Sequence, residues 1–268
     1  MFGGIFMKKS VFNGREVNFV NSDKMDSDSV YEANSVFWDT VGNDVVGATA
    51  LPKYGAYISE ENHQLFGDIS GKKLLEIGCG SGESLKYHGD HNASELWGID
   101  ISEKQIEKSK QHLLENGFSG KFICSPMEEE CGLPKDYFDF VYSIYGIGWT
   151  TDLAETFCKI ASYLKKDGSF IFSWSHPIHK CVFAENNKLI FGKSYFDESR
   201  YSMVFDEGTL TLADYKMSTY VNELYKAGFV IERMIEESDD NLISNNNSDH
   251  ARRAKMLPVT FIIKARKL

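Results

Sequence analysis

The sequence of 268 residues contains no apolar run near the roughly 20 residues that a bilayer-spanning helix needs. Its opening, MFGGIFMKKS, has neither a charged stretch ahead of its apolar residues nor a cleavage site, so it does not read as a signal peptide. Met1 and Met7 both qualify as a start. Cysteine is scarce and unpatterned: Cys79, Cys124, Cys131, Cys158 and Cys181 follow no C-x-x-C or zinc-ligand spacing. They read as reduced thiols of a cytoplasmic protein, acting as small hydrophobes, and no metal is expected. Positive charge is also short, with 29 Lys and Arg against 39 Asp and Glu and a net charge of −10. Such a surface repels phosphate backbones and argues against a nucleic-acid partner. There is no internal repeat, and nothing fixes an oligomeric state.

What is present is an ordinary globular composition, 42 % hydrophobic and 25 % charged. Residues 1–28 are polar and weakly periodic, which predicts a mobile N-terminal arm; residues 29–268 read as a single domain. The spacing of Val30, Phe37, Val41 and Val45 predicts a helix over 30–46, and a shorter helix is expected over 59–66, so that 29–70 forms a helical cap. From residue 73 the rhythm is regular. Strands are predicted at 73–77, 95–100, 121–124, 138–143 and 169–174, with helices over 83–89, 102–116 and 151–165. Ser102 stands as an N-cap and Gly117 suits the turn after the same helix. This alternation predicts right-handed crossovers and a mostly parallel sheet covered on both faces. Residues 176–212 are aromatic and weakly patterned. A helix over 213–227 and strands over 229–236 and 258–265 follow. Only a loop separates that last pair, which predicts an antiparallel ending.

The most informative segment is Leu74-Leu75-Glu76-Ile77-Gly78-Cys79-Gly80-Ser81-Gly82. A strand ends there in glycines spaced G-x-G-x-G, which let the backbone turn tightly against a small ligand at the carboxyl edge of a parallel sheet. Glu83 stands where a dinucleotide fingerprint places its third glycine. At the tip of the next strand, Asp100 can accept hydrogen bonds from both hydroxyls of a ribose, with Ile101 beside it.

With those residues in place, the stretch from Leu74 to Ser173 resembles the class I S-adenosylmethionine-dependent methyltransferases. The resemblance implies a Rossmann-like, seven-stranded, mostly parallel α/β sheet with an antiparallel last strand and helices on both faces. It implies S-adenosyl-L-methionine as cofactor and a small-molecule acceptor. Glu76, Gly78, Cys79, Gly80 and Gly82 match the loop that holds the methionine part, and Asp100 matches the ribose acid. Ser125-Pro126-Met127-Glu128 matches the segment bordering the adenine. Ser125 replaces a frequent Asp, so Ser125 or Glu128 would meet the adenine amino group while Met127 packs on the ring. Ser143 and Ile144 would touch the methionine end.

Methyl transfer needs alignment and dryness more than a base, which is required only when the acceptor must lose a proton. His176, at the tip of the fifth strand, is the candidate base, and Tyr145 and Trp149 are expected to look toward the acceptor. His179 is a weaker candidate. The aromatic residues of 175–212 predict a lid insertion, with Tyr31, Phe37, Trp38, Tyr54 and Tyr57 closing the other side. Three alternatives compete. A nucleic-acid or protein methyltransferase lacks support here: Ser143-Ile144-Tyr145-Gly146 is not a base-methylation motif, and no Pro-Cys dipeptide occurs. A nicotinamide oxidoreductase fits Asp100 but not the glycine spacing. A non-catalytic cofactor-binding sensor or partner protein fits the glycines and Asp100 equally well.

Overall fold

A computed structural model describes residues 9–12, 15–40, 49–185, 188–244 and 248–268. The apolar runs from residue 73 onward form a seven-stranded sheet: β1 (Lys73–Ile77), β2 (Glu95–Asp100), β3 (Lys121–Cys124), β4 (Phe138–Ile144), β5 (Leu164–Ser175), β6 (Phe229–Ile235) and β7 (Thr260–Lys267). Their order is β3-β2-β1-β4-β5-β7-β6. β7 runs antiparallel to both β5 and β6, whereas β3, β2, β1, β4 and β5 are mutually parallel. The chain winds outward from β1 to β3, then returns to place β4 on the other side of β1. That reversal opens a crevice beyond the carboxyl ends of β1, β2 and β4.

Leu74, Leu75 and Ile77 in β1 are almost fully buried because helices cover both faces. On one face α2 (Glu83–Asp90) and α3 (Glu103–Glu115) bring Leu85, Ile106 and Leu113 against Tyr142 and Ile171. On the other, α4 (Leu153–Tyr163) and α5 (Met217–Lys226) bring Phe157 and Leu224 against Phe170 and Phe172. Two local expectations hold: Ser102 accepts from the Gln105 amide at 3.1 Å, and Gly117 takes a φ of 81°.

The ends of the chain depart from expectation. Residues 1–28, read as a mobile arm, supply strands Lys9–Phe12 and Arg15–Asn21. These join Arg200–Phe205 and Gly208–Ala213 in a four-stranded antiparallel sheet. The arm is therefore half of a second sheet, whose other half comes from the segment read as a lid insertion and residue 213. Pairing explains the difference: Val17 is fully buried between exposed Glu16 and Asn18, an alternation that has a purpose only against a partner strand. The first helix, α1, spans Ser27–Thr40; Val41 and Val45 of its expected stripe lie outside the described residues. The expected helix over 59–66 shortens to Glu60–His63, because the Leu65 and Phe66 amides donate to the Glu60 carboxylate instead of continuing the helix.

Asn34 hydrogen-bonds α1 to the second sheet. Asn34 Nδ2 donates to the Thr211 carbonyl at 3.0 Å while Asn34 Oδ1 accepts from the Thr211 amide at 2.8 Å. Phe37 packs on Phe205 from the next turn of the helix. Arg200 extends the attachment, donating to the carbonyls of Met25 (2.7 Å) and Thr151 (3.1 Å).

One buried group gives the fold an acid limit. His88 of α2 has no solvent exposure, and its ring lies between Phe66 and Tyr142. Burial pushes its pKa down from 6.5 to about 3. Between those values the unfolded chain binds a proton that the folded one refuses, so stability is complete above pH 6.5 and declines as the pH falls. The slope is about 1.4 kcal/mol per pH unit for one such histidine. Denaturant unfolding at pH 7 and pH 5 should therefore show a smaller acid loss for His88→Leu than for the parent protein; equal losses would mean that His88 is not the group responsible.

Candidate active site

At the end of β1 the chain turns through Gly78, Cys79, Gly80 and Ser81 to Gly82, which precedes α2. The three glycines have φ values of 71°, 49° and 84°, in the left-handed region where a side chain is strained. The amides of Gly78 and Cys79 both donate to the Ile99 carbonyl of β2, at 2.9 and 3.0 Å. Gly82 and Gly80 serve different purposes. A Cβ on Gly82 would stand 2.3 Å from Ser109 Oγ and 3.2 Å from Ser109 Cα, so its bareness lets α3 approach. A Cβ on Gly80 would meet nothing within 4 Å, so that glycine faces the open crevice. Cys79 is buried under Gly98, and burial raises its thiol pKa well above the ordinary value. It packs the turn and is poorly suited to react.

Asp100 ends β2 directly opposite. Its Oδ2 accepts from the Gly80 amide at 2.8 Å and its Oδ1 from the Ser102 amide at 3.0 Å. Burial raises its pKa, and those amides oppose the rise by favouring the carboxylate. The Ile101 carbonyl next door accepts from Ser35 Oγ of α1 at 3.1 Å. Ser125 reaches the same crevice, its amide donating to the Asp100 carbonyl at 2.9 Å and its hydroxyl to the Pro126 carbonyl at 3.1 Å. Met127 is half-buried against the core.

Glu128 is placed otherwise than expected. Its carboxylate accepts from Thr150 Oγ1 at 2.6 Å and from the Thr151 and Asp152 amides, tying down the turn ahead of α4. Of the two residues considered for the adenine, Ser125 is tied by its amide to the Asp100 carbonyl, whereas Glu128 is committed to the turn ahead of α4. Glu76 and Ser143 form a brace behind the turn. The Tyr142 hydroxyl donates to Glu76 Oε2 at 3.3 Å, and burial holds the Glu76 carboxyl well above the usual range. Ser143 Oγ donates to the Ile77 carbonyl at 2.8 Å, and Ile144 is buried beside it.

The residues considered for catalysis are also engaged. His176 Nδ1 accepts from the Ile178 amide at 3.1 Å, which leaves the proton on Nε2, and Nε2 donates to Glu236 Oε1 at 2.7 Å. Burial lowers its pKa, and Glu236 opposes this. The imidazole thus has no nitrogen free to receive a proton. Tyr145 has a φ of 54°, shares a 2.7 Å hydrogen bond with Thr260 Oγ1 and has its pKa pushed up to about 12 by burial. Its ring packs over Gly55 and Trp174.

Around the mouth of the crevice, three tryptophans from three elements make one wall. Trp149 packs edge-on to Trp38 of α1 (centroids 5.4 Å apart) and to Trp174 of β5 (5.3 Å). Gly148 has no side chain because Trp174 fills that space. The sequence pointed to Trp38 and Trp149 but not to Trp174, nor to Asn34, Ser35 and Asp39 on α1. A signal was available in Val30, Asn34 and Phe37, where an amide interrupts an apolar stripe and must be bonded once buried.

Comparison with known proteins fits this geometry. Residues 75–172, from β1 into β5, match the family described as a methyltransferase domain. An uncharacterized protein of Haemophilus influenzae is 29 % identical over 218 residues, 76 % of this chain and 84 % of that one. A ubiquinone biosynthesis O-methyltransferase of Saccharophagus degradans is 28 % identical over 137 residues, and the match spans only 56 % of its length. In three dimensions, an S-adenosylmethionine-dependent methyltransferase of Mesorhizobium loti superposes with a TM-score of 0.68 at 22 % identity, covering 80 % of this chain and 99 % of that one. Residues 75–172 thus form a methyltransferase domain, on the fold of the S-adenosylmethionine-dependent methyltransferase that it superposes with.

The packing at the turn yields a stability test. Gly82→Ala adds a Cβ against α3 at a left-handed φ and should cost about 1–3 kcal/mol, read as a lower denaturation midpoint. An unchanged midpoint would show that α3 is not held against the turn as described.

Proposed function

We propose that the protein transfers the methyl group of S-adenosylmethionine to a small or medium organic acceptor, at oxygen, nitrogen or carbon, held between the crevice and the tryptophan wall. The observation carrying this reading is the Asp100 carboxylate fixed by the Gly80 and Ser102 amides beside the open face of Gly80. An anchored acid and an uncovered glycine turn suit a ribose and an amino-acid tail respectively. When bound, the cofactor supplies a methyl carbon on a sulfonium whose leaving group is a neutral thioether.

The rest falls to this chain. Asp100 accepts from the ribose hydroxyls, Gly78 and Gly80 keep the turn low enough for the methionine part, and Ser125 meets the adenine amino group. Trp38, Trp149 and Trp174 exclude water from the methyl, and their π-faces favour a cation nearby. His176 and Tyr145 act as positioning residues: His176 fixes the turn after β5, and Tyr145 fixes the chain after β4. The transfer therefore proceeds without a base from either, which suits an acceptor atom already nucleophilic or activated by its own substituents. The name of the Saccharophagus degradans relative, an O-methyltransferase, makes an oxygen atom the first acceptor to try.

Incubating the protein with methyl-labelled cofactor and a metabolite extract tests this. Label in small molecules is expected. Label on protein or RNA moves the acceptor class, and no label despite tight cofactor binding favours a sensor. Asp100→Ala should weaken binding of S-adenosylhomocysteine by about 1.5–3 kcal/mol in calorimetry, the scale for lost charge-assisted bonds; unchanged affinity would remove the ribose assignment. Gly80→Ala should weaken the same binding more than it lowers the melting temperature. His176→Ala should lower stability while leaving kcat within about threefold, whereas a fall of about a hundredfold at retained stability would restore it as the base.

A further inference from the structure

α1 does more than roof the crevice. Four hydrogen bonds tie it to the chain leaving β2. Ser35 Oγ donates to the Ile101 carbonyl at 3.1 Å, and Gln105 Nε2 donates to the Trp38 carbonyl at 3.5 Å. The other two converge on Asp39, whose Oδ1 accepts from Ser102 Oγ at 2.5 Å and from the Lys104 amide at 3.2 Å. Ser102 is thereby fully committed. Its hydroxyl proton goes to Asp39, its hydroxyl oxygen accepts from the Gln105 amide, and its own amide donates to Asp100 Oδ1. The Asp39 carboxylate, the Ser102 residue and the Asp100 carboxylate form one line from the N-terminal helix to the crevice.

Two carboxylates at the ends of such a line repel, since no cation lies between them among these bonds. The arrangement keeps them apart by giving each its own donors from residue 102: the hydroxyl serves Asp39 and the amide serves Asp100. Shifting the backbone of residue 102 toward one acid would move the donor that serves the other, so the seat of α1 and the direction of Asp100 are mechanically linked. One residue before Ser35, Asn34 clamps the helix to Thr211 of the second sheet. A change at Asp100 therefore has a rigid path to the roof of the site.

We propose that Asp39 is a positioning residue for the cofactor: acting through Ser102, it sets the Asp100 carboxylate, so that docking of α1 and cofactor affinity are a single coupled equilibrium. This rests on the reading that Asp100 binds the cofactor ribose. Linkage then requires reciprocity. If a docked α1 strengthens cofactor binding by a given factor, bound cofactor must stabilise docked α1 by the same factor.

The test is a double-mutant cycle on the full chain, with S-adenosylhomocysteine affinity read by calorimetry and folding checked by thermal denaturation. Asp39→Ala should weaken binding about tenfold, and Asp39→Asn, which retains an acceptor oxygen for Ser102, should recover most of the loss. In the Asp100→Ala background, Asp39→Ala should have no further effect, because its route to the ligand is gone. Amide hydrogen exchange across α1 should slow with S-adenosylhomocysteine in the parent protein and respond less in Asp39→Ala. Unchanged affinity in a folded Asp39→Ala, or losses at Asp39 and Asp100 that simply add, would overturn the proposal while leaving the ribose assignment standing. Unchanged affinity in Asp100→Ala would remove the ribose assignment itself, and the proposal with it.

Discussion

A carboxylate held between two backbone amides organises the crevice. Asp100 accepts from Gly80 on the turn after β1 and from Ser102 on the turn after β2, so one side chain joins two strand ends that hydrogen bonding within the sheet leaves open. The amides favour its ionised form against the penalty of burial. Most of the neighbouring geometry serves this junction. Gly82 lets α3 pack closely enough for Ser102 to stand where it does, Ser125 fastens the end of β3 to the Asp100 carbonyl, and Ser143 fastens β4 to β1. The site is a set of strand ends bound to one another before any ligand arrives, which is the preorganisation that cofactor binding needs.

The residues that looked most reactive in the sequence are the most constrained in the structure. His176 and Tyr145 drew attention because they follow β5 and β4 at the carboxyl edge of the sheet. Both occupy strained or crowded turns that need a polar partner, and each has found one within the protein. Glu128 is a similar case, an acid in the expected segment whose charge satisfies the turn ahead of α4. Position along the chain identifies which side chains stand near a crevice. It does not say how many of their hydrogen bonds are already used.

The main sheet was legible because its signals are local. Apolar runs, glycine ends and a capping serine each announce themselves within a few residues, and the strand order follows from right-handed crossovers. Asp100, the acid proposed for the ribose, was legible for the same reason, lying one strand beyond the glycine turn. The second sheet was not. Arg15–Asn21 has the alternation of a half-buried strand, but its partner is Arg200–Phe205, and no local pattern in either names the other. Asp39 was illegible in the same way: its meaning lies in Ser102, 63 residues away. The glycines and Asp100 are bound by near neighbours in sequence, whereas the roof of the site is bound by distant ones.

That long reach has a consequence during synthesis. Ser22 and Ser202, which share a 2.5 Å hydrogen bond, are 180 residues apart. At a translation rate of about 5–20 residues per second, the N-terminal hairpin waits roughly 10–40 s on the ribosome before its partner strand exists. During that interval Val17 and Phe19 have no sheet to enter, and the edge they occupy can pair with any exposed strand nearby. Glu16 and Asn18, alternating with them, interrupt that edge with polar side chains and lower its tendency to recruit another nascent copy. The methyltransferase core from β1 to β5 is meanwhile complete on emergence and can fold behind it, so the crevice and α1 can exist before Thr211, to which Asn34 of that helix is clamped.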